Sequence, residues 1–251
     1  PVGSAAVPAP RLWRDIVVPL LSNWYFVLVM LISFQLVALR EFFLHFSARF
    51  LTHVYCAPAA ASGTHANWLH CIDSNEASSA GAWASMLFPV VGTLSTLAAG
   101  WCKDLVHPTL RGGVMIAFLA VFHVAGLYLW TVGASTSLGS ATVALLACAW
   151  GLIGPYSLVT GVYALDLGGR VRTGTASGLL NAAGSLGAML FMEMQGSLGG
   201  RWSQIYGMMS VWVVSALITT ALLWRRDVIV HELKPHESLV KCGAGVVKQA
   251  T

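Results

Sequence analysis

One uninterrupted apolar run constrains the fold of this chain more than any other feature. Residues 23–50 read NWYFVLVMLISFQLVALREFFLHFSARF, which is long enough to cross a lipid bilayer with some tilt. Because lipid offers no partners to backbone N–H and C=O groups, such a run must fold as a helix. Arg40 lies near its middle, where a charge costs roughly 2.5 to 3.5 kcal/mol. We therefore expect Arg40 to hold an anion inside the protein; the alternative is a side chain that reaches an interface or pairs with a structural acid.

Composition extends this interpretation to the whole chain. Hydrophobic residues make up 57% and charged residues 10%, whereas soluble domains carry about 25% charged residues. The sequence predicts an all-α membrane protein, a six-helix bundle with spans at about 24–49, 80–101, 114–132, 141–163, 175–194 and 205–224. We expect residues 1–15 to form a linker or the stump of a preceding half, 16–226 the membrane domain and 227–251 a polar, largely disordered tail.

Lys and Arg predict the orientation in the bilayer. Nine of them lie beside span ends on the same side of the membrane as the residues that precede the first span. Two others, Arg49 and Arg201, lie on the opposite side. Such a bias marks the cytoplasmic side, so both termini are expected to be cytoplasmic. Neither a nucleic-acid partner nor a cofactor is predicted, because the positive charges flank spans instead of forming a basic stripe.

The loop after the first span holds Cys56 and Cys71, on the side predicted to be non-cytoplasmic. A disulfide between them is chemically permitted there, and two unlinked thiols remain an alternative. A zinc site with nearby His residues is a third alternative, but neither C-x-x-C nor H-x-x-x-H spacing supports a metal.

Three stretches carry a family resemblance. Residues 100–112 (GWCKDLVHPTLRG) resemble a short gate-forming loop of the major facilitator superfamily. Residues 154–168 (GPYSLVTGVYALDLG) and 174–187 (GTASGLLNAAGSLG) resemble the tenth and eleventh helices of its organophosphate:phosphate antiporter family. Within that family they look most like the eukaryotic sugar-phosphate exchangers of solute carrier family 37.

The resemblance implies that the six spans are helices seven to twelve, the C-terminal half of a two-half transporter whose N-terminal six-helix half is missing here. The implied function is transport of organic phosphates such as glucose 6-phosphate or glycerol 3-phosphate, in exchange for inorganic phosphate, by alternating access. An enzyme is not expected, since no hydrolase or metalloprotease motif occurs. The alternative is a truncated, non-transporting membrane subunit with a regulatory or assembly role.

The resemblance also assigns residues. In a bacterial member of the family, the glycerol-3-phosphate antiporter, an Arg that helps bind substrate phosphate follows a Leu. Leu39 and Arg40 match this pair, and Ser47 matches a Ser seven residues after that Arg. Val37 and Ser185 stand where the bacterial relative has Tyr, so recognition of the organic portion should differ.

Helix geometry supplies the remaining expectations. Glu41 should point about 100° away from Arg40 and is not an obvious partner for it, whereas Glu41 and His45 lie one turn apart. His45 is expected either to donate to phosphate or to hydrogen-bond a neighbouring helix. Substrate contacts are also considered for Tyr156 and Asn181.

The predicted gate consists of three charged residues at span ends: Asp104, Arg111 and Asp166. Pro155 should kink the fourth span, with Ser157 and Thr160 as candidates to satisfy the freed carbonyl. The four-residue spacing of Gly174, Gly178 and Ala182 predicts a face for close helix packing.

Overall fold

The computed structural model describes residues 13, 17–62, 75–131, 137–198 and 201–247. All regular structure within these ranges is helical. The helices are α1 (Val18–Ser22), α2 (Trp24–Ser62), α3 (Asn75–Leu105), α4 (Arg111–Thr131), α5 (Leu138–Ser157), α6 (Ala164–Ser197) and α7 (Trp202–Val247). A 3₁₀ turn at Pro108–Leu110 precedes α4, and a π-helix at Leu158–Tyr163 joins α5 to α6.

Six helical segments are long and apolar enough to cross a membrane, which confirms the predicted all-α membrane bundle. They are Trp24–Val54, Gly81–Leu105, Arg111–Thr131, Leu138–Gly169, Arg172–Ser197 and Trp202–Ile229. Because the spans alternate in direction, the bundle has a near end, where the first span begins at Trp24, and a far end, where it finishes at Val54.

The helices of the first and last spans run beyond the predicted spans. Helix α2 continues to Ser62, and α7 continues to Val247, where the sequence had predicted a largely disordered tail. The extension of α7 includes Pro235, Gly243 and Gly245, which disfavour helix, so local propensity does not account for it. The predicted linker at 1–15 lies outside the described residues apart from Trp13.

Helix α2 is central, since it packs against α3, α5, α6 and α7. Its aromatic side chains hold this packing. Phe43 stacks on Phe88 of α3 with ring centroids 5.6 Å apart and meets Phe122 of α4 edge to face at 5.7 Å. Phe42 meets Phe191 of α6 at 5.8 Å. Lipid removes the usual hydrophobic drive between helices, so close van der Waals contact of this kind holds the bundle together.

Two glycines of α6 allow it to approach α2 closely. A Cβ on Gly187 would fall on the carbonyl oxygen of Phe34, and a Cβ on Gly184 would fall on the Val37 side chain. By contrast, an added Cβ at Gly174 or Gly178 would have no neighbour within 4 Å. Gly174 and Gly178 therefore pack against no helix among the described residues, because α6 turns its other side to α2.

A glycine also makes the turn between the fourth and fifth spans. Gly169 has φ 58° and ψ −175°, a combination that side chains with a Cβ do not adopt without strain. The chain thereby reverses direction within a few residues at the near end. This tight turn fixes where the fifth span begins relative to the fourth.

The fourth span is irregular close to Pro155, where the sequence predicts a kink. The π-helix begins three residues later, at Leu158, and such widened turns recur at functional sites. Ser157 donates to the Gly154 carbonyl at 2.7 Å and Thr160 to the Tyr156 carbonyl at 3.1 Å. The two hydroxyls thus serve carbonyls other than the Gly151 carbonyl that Pro155 leaves without its usual helical donor.

Candidate functional site

Arg40 lies at the middle of the first span and keeps part of its side chain accessible. The side chain is 27% exposed, and its guanidinium carbon sits 4.6 Å from the ring centroid of Tyr156 on α5. This is a cation–π contact, which stabilises a cation most where water is scarce. The arrangement holds the guanidinium in place while leaving one side open.

Glu41 is the ion-pair partner of Arg40, so the expectation that it points away is wrong. One carboxylate oxygen, Oε1, accepts hydrogen bonds from Arg40 Nε at 3.1 Å and from Arg40 Nη2. The Cβ atoms of successive helical residues do diverge by about 100°. The long, flexible Arg side chain nevertheless bends back and spans the gap, which Cβ directions alone did not predict.

His45 lies one turn from Glu41, as the sequence predicted. Its Nε2 is 3.6 Å from the second carboxylate oxygen, Oε2, and its side chain is 65% exposed. His45 therefore contacts an acid on its own helix and is accessible to a ligand.

Asn181 of α6 completes the group on a third helix. The hydroxyl of Tyr156 lies 3.5 Å from Asn181 Oδ1, at the limit of a hydrogen bond. We call the group formed by Arg40, Glu41, His45, Tyr156 and Asn181 the mid-span polar cluster. Ser185 lies one turn beyond Asn181 and is exposed, but among the described contacts none joins it to this cluster.

Ser47 is not part of the cluster. It is 3% exposed, and its hydroxyl donates to Ser85 Oγ of α3 at 3.2 Å. Ser47 lies on the same helix as Arg40, seven residues further along. Its side chain faces α3, and none of its described contacts is with the mid-span polar cluster.

Two of the three predicted gate residues are in contact at the near end. Arg111 Nη1 donates to Asp166 Oδ2 at 2.9 Å, so the start of α4 is tied to the end of the fourth span. Asp104 instead lies 2.9 Å from its sequence neighbour, Lys103. The Arg111–Asp166 pair therefore joins two helices, whereas the Lys103–Asp104 pair joins two neighbouring residues of one helix.

The near end also holds a second group of polar side chains, which the sequence did not predict. Asp227 of α7 accepts hydrogen bonds from Tyr25 at 2.7 Å and from Tyr163 at 3.2 Å, one on each carboxylate oxygen. Arg226 lies over the Tyr25 ring at 5.6 Å. A carboxylate just inside the last span is a weak signal by itself. Its partners lie 202 and 64 residues away in sequence, so only the fold identifies them.

The cysteine prediction is answered in part. Cys56 is disulfide-bonded, which excludes a free thiol there, whereas Cys102 and Cys148 are free. Cys71 lies outside the described residues, so its pairing with Cys56 stays a prediction. No cluster of metal-ligating side chains occurs in the part of the chain that the structure describes.

These features define a multi-pass helical membrane protein with a charged and aromatic cluster halfway along three of its spans. Several proteins with similar sequences are named as transporters or exchangers of organic phosphates. The chain is 28% identical over 145 residues to the glycerol-3-phosphate transporter of Bacillus subtilis, covering 57% of this chain and 32% of the relative. It is 25% identical over 178 residues to the glucose-6-phosphate exchanger SLC37A2 of Xenopus laevis, covering 66% and 35%.

A plant relative is also named as a glycerol-3-phosphate transporter. The putative glycerol-3-phosphate transporter 5 of Arabidopsis thaliana is 29% identical over 136 residues, covering 51% of this chain and 27% of the relative. The matched region thus amounts to about a third of the length of these relatives. No protein-family profile matches the chain.

Proposed function

We propose that this chain is the C-terminal six-span half of a major facilitator transporter for organic phosphates. Its substrates are sugar or polyol phosphates such as glucose 6-phosphate or glycerol 3-phosphate, which exchange for inorganic phosphate. Related proteins named as organophosphate transporters support the substrate class. They do not favour the alternative of a non-transporting subunit.

The observation that carries the proposal is the position of Arg40. A permanent cation at mid-span typically marks a functional site, because contacts with partners or a ligand must offset the free-energy cost of placing the charge in the membrane. Arg40 is placed by an aromatic ring, is partly exposed, and has the planar donor geometry that phosphate oxygens match. Tyr156 and Asn181 supply neutral polar groups beside it for the organic portion of a substrate.

The face of α6 beside the cluster supports a two-half architecture. Gly174 and Gly178 have no neighbour within 4 Å of an added Cβ, and Asn181 and Ala182 on the same face are exposed. Small residues in a span permit the close approach of another helix. We assign this uncovered face to the N-terminal half, with the substrate held between the halves near the midplane.

The near-end ion pair is assigned to gating. Arg111 and Asp166 join the ends of different spans, so breaking their ion pair would free these two ends to move relative to each other. The disulfide of Cys56 supports the proposed orientation, since such bonds persist in oxidising compartments and Cys56 is at the far end. The near end is then cytoplasmic, in agreement with the distribution of Lys and Arg.

Counterflow in liposomes tests the function. The full-length protein is reconstituted with internal unlabelled phosphate, and uptake of labelled phosphate is measured against external glucose 6-phosphate, glycerol 3-phosphate and phosphoenolpyruvate. We expect organic phosphates to compete with labelled phosphate. We expect Arg40→Ala and Arg40→Lys to reduce exchange at least a hundredfold, because a point charge cannot replace the bidentate fork.

Arg49→Ala is the matched control, since Arg49 is an exposed arginine on the same helix. It should exchange at the wild-type rate. Wild-type exchange by both Arg40 variants would refute the role of Arg40, and lack of phosphate counterflow by the wild-type protein would refute the function.

A further inference from the structure

We propose that Glu41 is a resident counter-ion of Arg40, occupying the position of the substrate phosphate until phosphate displaces it. The inference rests on the proposed function and adds a regulatory element to the same site. Nothing in the resemblance assigns a role to Glu41; it follows from the contacts of the mid-span polar cluster.

Glu41 and Tyr156 occupy much of the Arg40 guanidinium. Glu41 Oε1 accepts from Nε and Nη2, which form one of the two edges through which a guanidinium can donate two parallel hydrogen bonds to an oxyanion. The Tyr156 ring covers one flat face. A phosphate that seeks bidentate contact along this edge must therefore replace the carboxylate.

His45 offers the displaced Glu41 carboxylate a second partner. His45 already lies 3.6 Å from Glu41 Oε2, one helical turn away. An imidazole N–H can donate to the carboxylate once Arg40 has turned to phosphate. Glu41 then keeps a polar partner on its own helix, so displacement does not leave an isolated charge in the membrane interior.

In the transporter without substrate, Glu41 neutralises the charge of Arg40. An unpaired Arg40 would oppose closure of a site without substrate, since a desolvated lone charge is costly. With Glu41 bound, the pair is neutral overall and the empty site can close and reorient. The structure therefore predicts two consequences: Glu41 weakens phosphate binding by competition, and it permits net phosphate flux beside exchange.

Glu41→Gln tests both consequences. The dissociation constant of inorganic phosphate is measured by equilibrium binding to the full-length protein in nanodiscs. Efflux of labelled phosphate from liposomes is measured with and without external phosphate. We expect the variant to bind phosphate about tenfold more tightly and to lose net efflux relative to exchange, because its empty site keeps an unpaired cation.

Two other variants sharpen the result. Glu193→Gln removes an exposed carboxylate of α6 outside the cluster and should match the wild type. His45→Gln leaves the Arg40–Glu41 pair intact but takes away the imidazole, so phosphate binding should weaken. If Glu41→Gln does not yield folded protein, Glu41→Asp shortens the reach to Arg40 and should also tighten phosphate binding.

The outcomes separate this inference from the function beneath it. If the wild type binds no inorganic phosphate, the proposed function fails. If the wild type binds phosphate and Arg40→Ala abolishes binding, but Glu41→Gln and Glu41→Asp bind it no more tightly, the counter-ion role alone is overturned. An unchanged ratio of net efflux to exchange in Glu41→Gln overturns it as well.

Discussion

The hydroxyl of Tyr25 donates a hydrogen bond to Oδ1 of Asp227 at 2.7 Å, joining the start of the first span to the end of the last. Tyr163 binds the other oxygen of the same carboxylate, and it is 2% exposed. Three helices therefore meet at one side chain at the near end of the bundle. A contact of this kind is sensitive to loss of the acceptor, because a buried hydroxyl without a partner bears its full desolvation cost.

Asp227→Ala should consequently lower the free energy of unfolding by about 1–3 kcal/mol, the cost of leaving buried groups unpaired. Asp227→Asn retains an acceptor oxygen and should cost less. Thermal unfolding of the purified protein in detergent measures both. Asp104→Ala, which removes an exposed aspartate at the same end, should stay within about 0.5 kcal/mol of wild type. Equal losses for Asp227→Ala and Asp104→Ala would count against the role of Asp227.

Gly169→Ala should destabilise the turn between the fourth and fifth spans. Its φ of 58° with ψ of −175° imposes a strain of order 1–3 kcal/mol on any residue with a Cβ. Gly174→Ala is the control, because its added methyl meets nothing within 4 Å and alanine favours helix. Comparison of the two unfolding midpoints checks this. A midpoint for Gly169→Ala at or above that of Gly174→Ala would contradict the prediction.

Gly187→Ala should push the fifth span away from the first. The added methyl would overlap the Phe34 carbonyl, which belongs to the backbone and cannot rotate aside. Overpacking of this kind costs typically 1–3 kcal/mol. Because the same two spans carry Asn181 and Arg40, phosphate binding should weaken together with thermal stability. Gly178→Ala, which lies on the uncovered side of the helix, should leave the stability of this chain intact, and equal behaviour of the two variants would refute the prediction.

Exchange of the charges in the Arg111–Asp166 pair tests its gating role. Arg111→Asp and Asp166→Arg should each change the transport rate, because each places like charges at the near end. The double variant restores an attractive pair and should recover much of the wild-type rate. The coupling energy in stability should be only about 0.2–1 kcal/mol, as for other exposed pairs. Arg225→Ala is an exposed near-end control, and a double variant no better than either single one would exclude a specific pair.

Peptide mapping without reduction should find Cys56 linked to Cys71. The structure shows Cys56 in a disulfide, and the sequence places Cys71 in the loop that follows the same span. Treatment with a reductant should separate the linked peptides. Linkage of Cys56 to Cys242, or alkylation of Cys56 before reduction, would show that the predicted pairing is wrong.

The sequence predicted some parts of the site well and others poorly. It predicted that Arg40 matters, because a charge within a run such as 23–50 is visible without any fold. It also placed Glu41 one turn from His45, since helical spacing is local. It wrongly rejected Glu41 as a partner of Arg40, because a residue's Cβ direction does not determine where a long side chain ends.

Contacts between spans required the structure. The spacing of Gly174 and Gly178 predicted a packing face, yet Gly184 and Gly187 make the close approach to α2. All four lie on one helix, and only the neighbour's position decides which side is covered. Nor did any pattern connect Asp227 with Tyr25.

The sequence by itself determined the number of spans, their helical character and the mid-span position of Arg40. Each depends on the length and polarity of one continuous segment, and a bilayer converts these directly into a helix. The tertiary structure alone decided that Tyr156 and Asn181 stand beside Arg40, that Arg111 meets Asp166, and that one carboxylate joins three helices. Such contacts depend on the rotation and packing of whole helices, which arise from many weak van der Waals interactions distributed over the entire bundle.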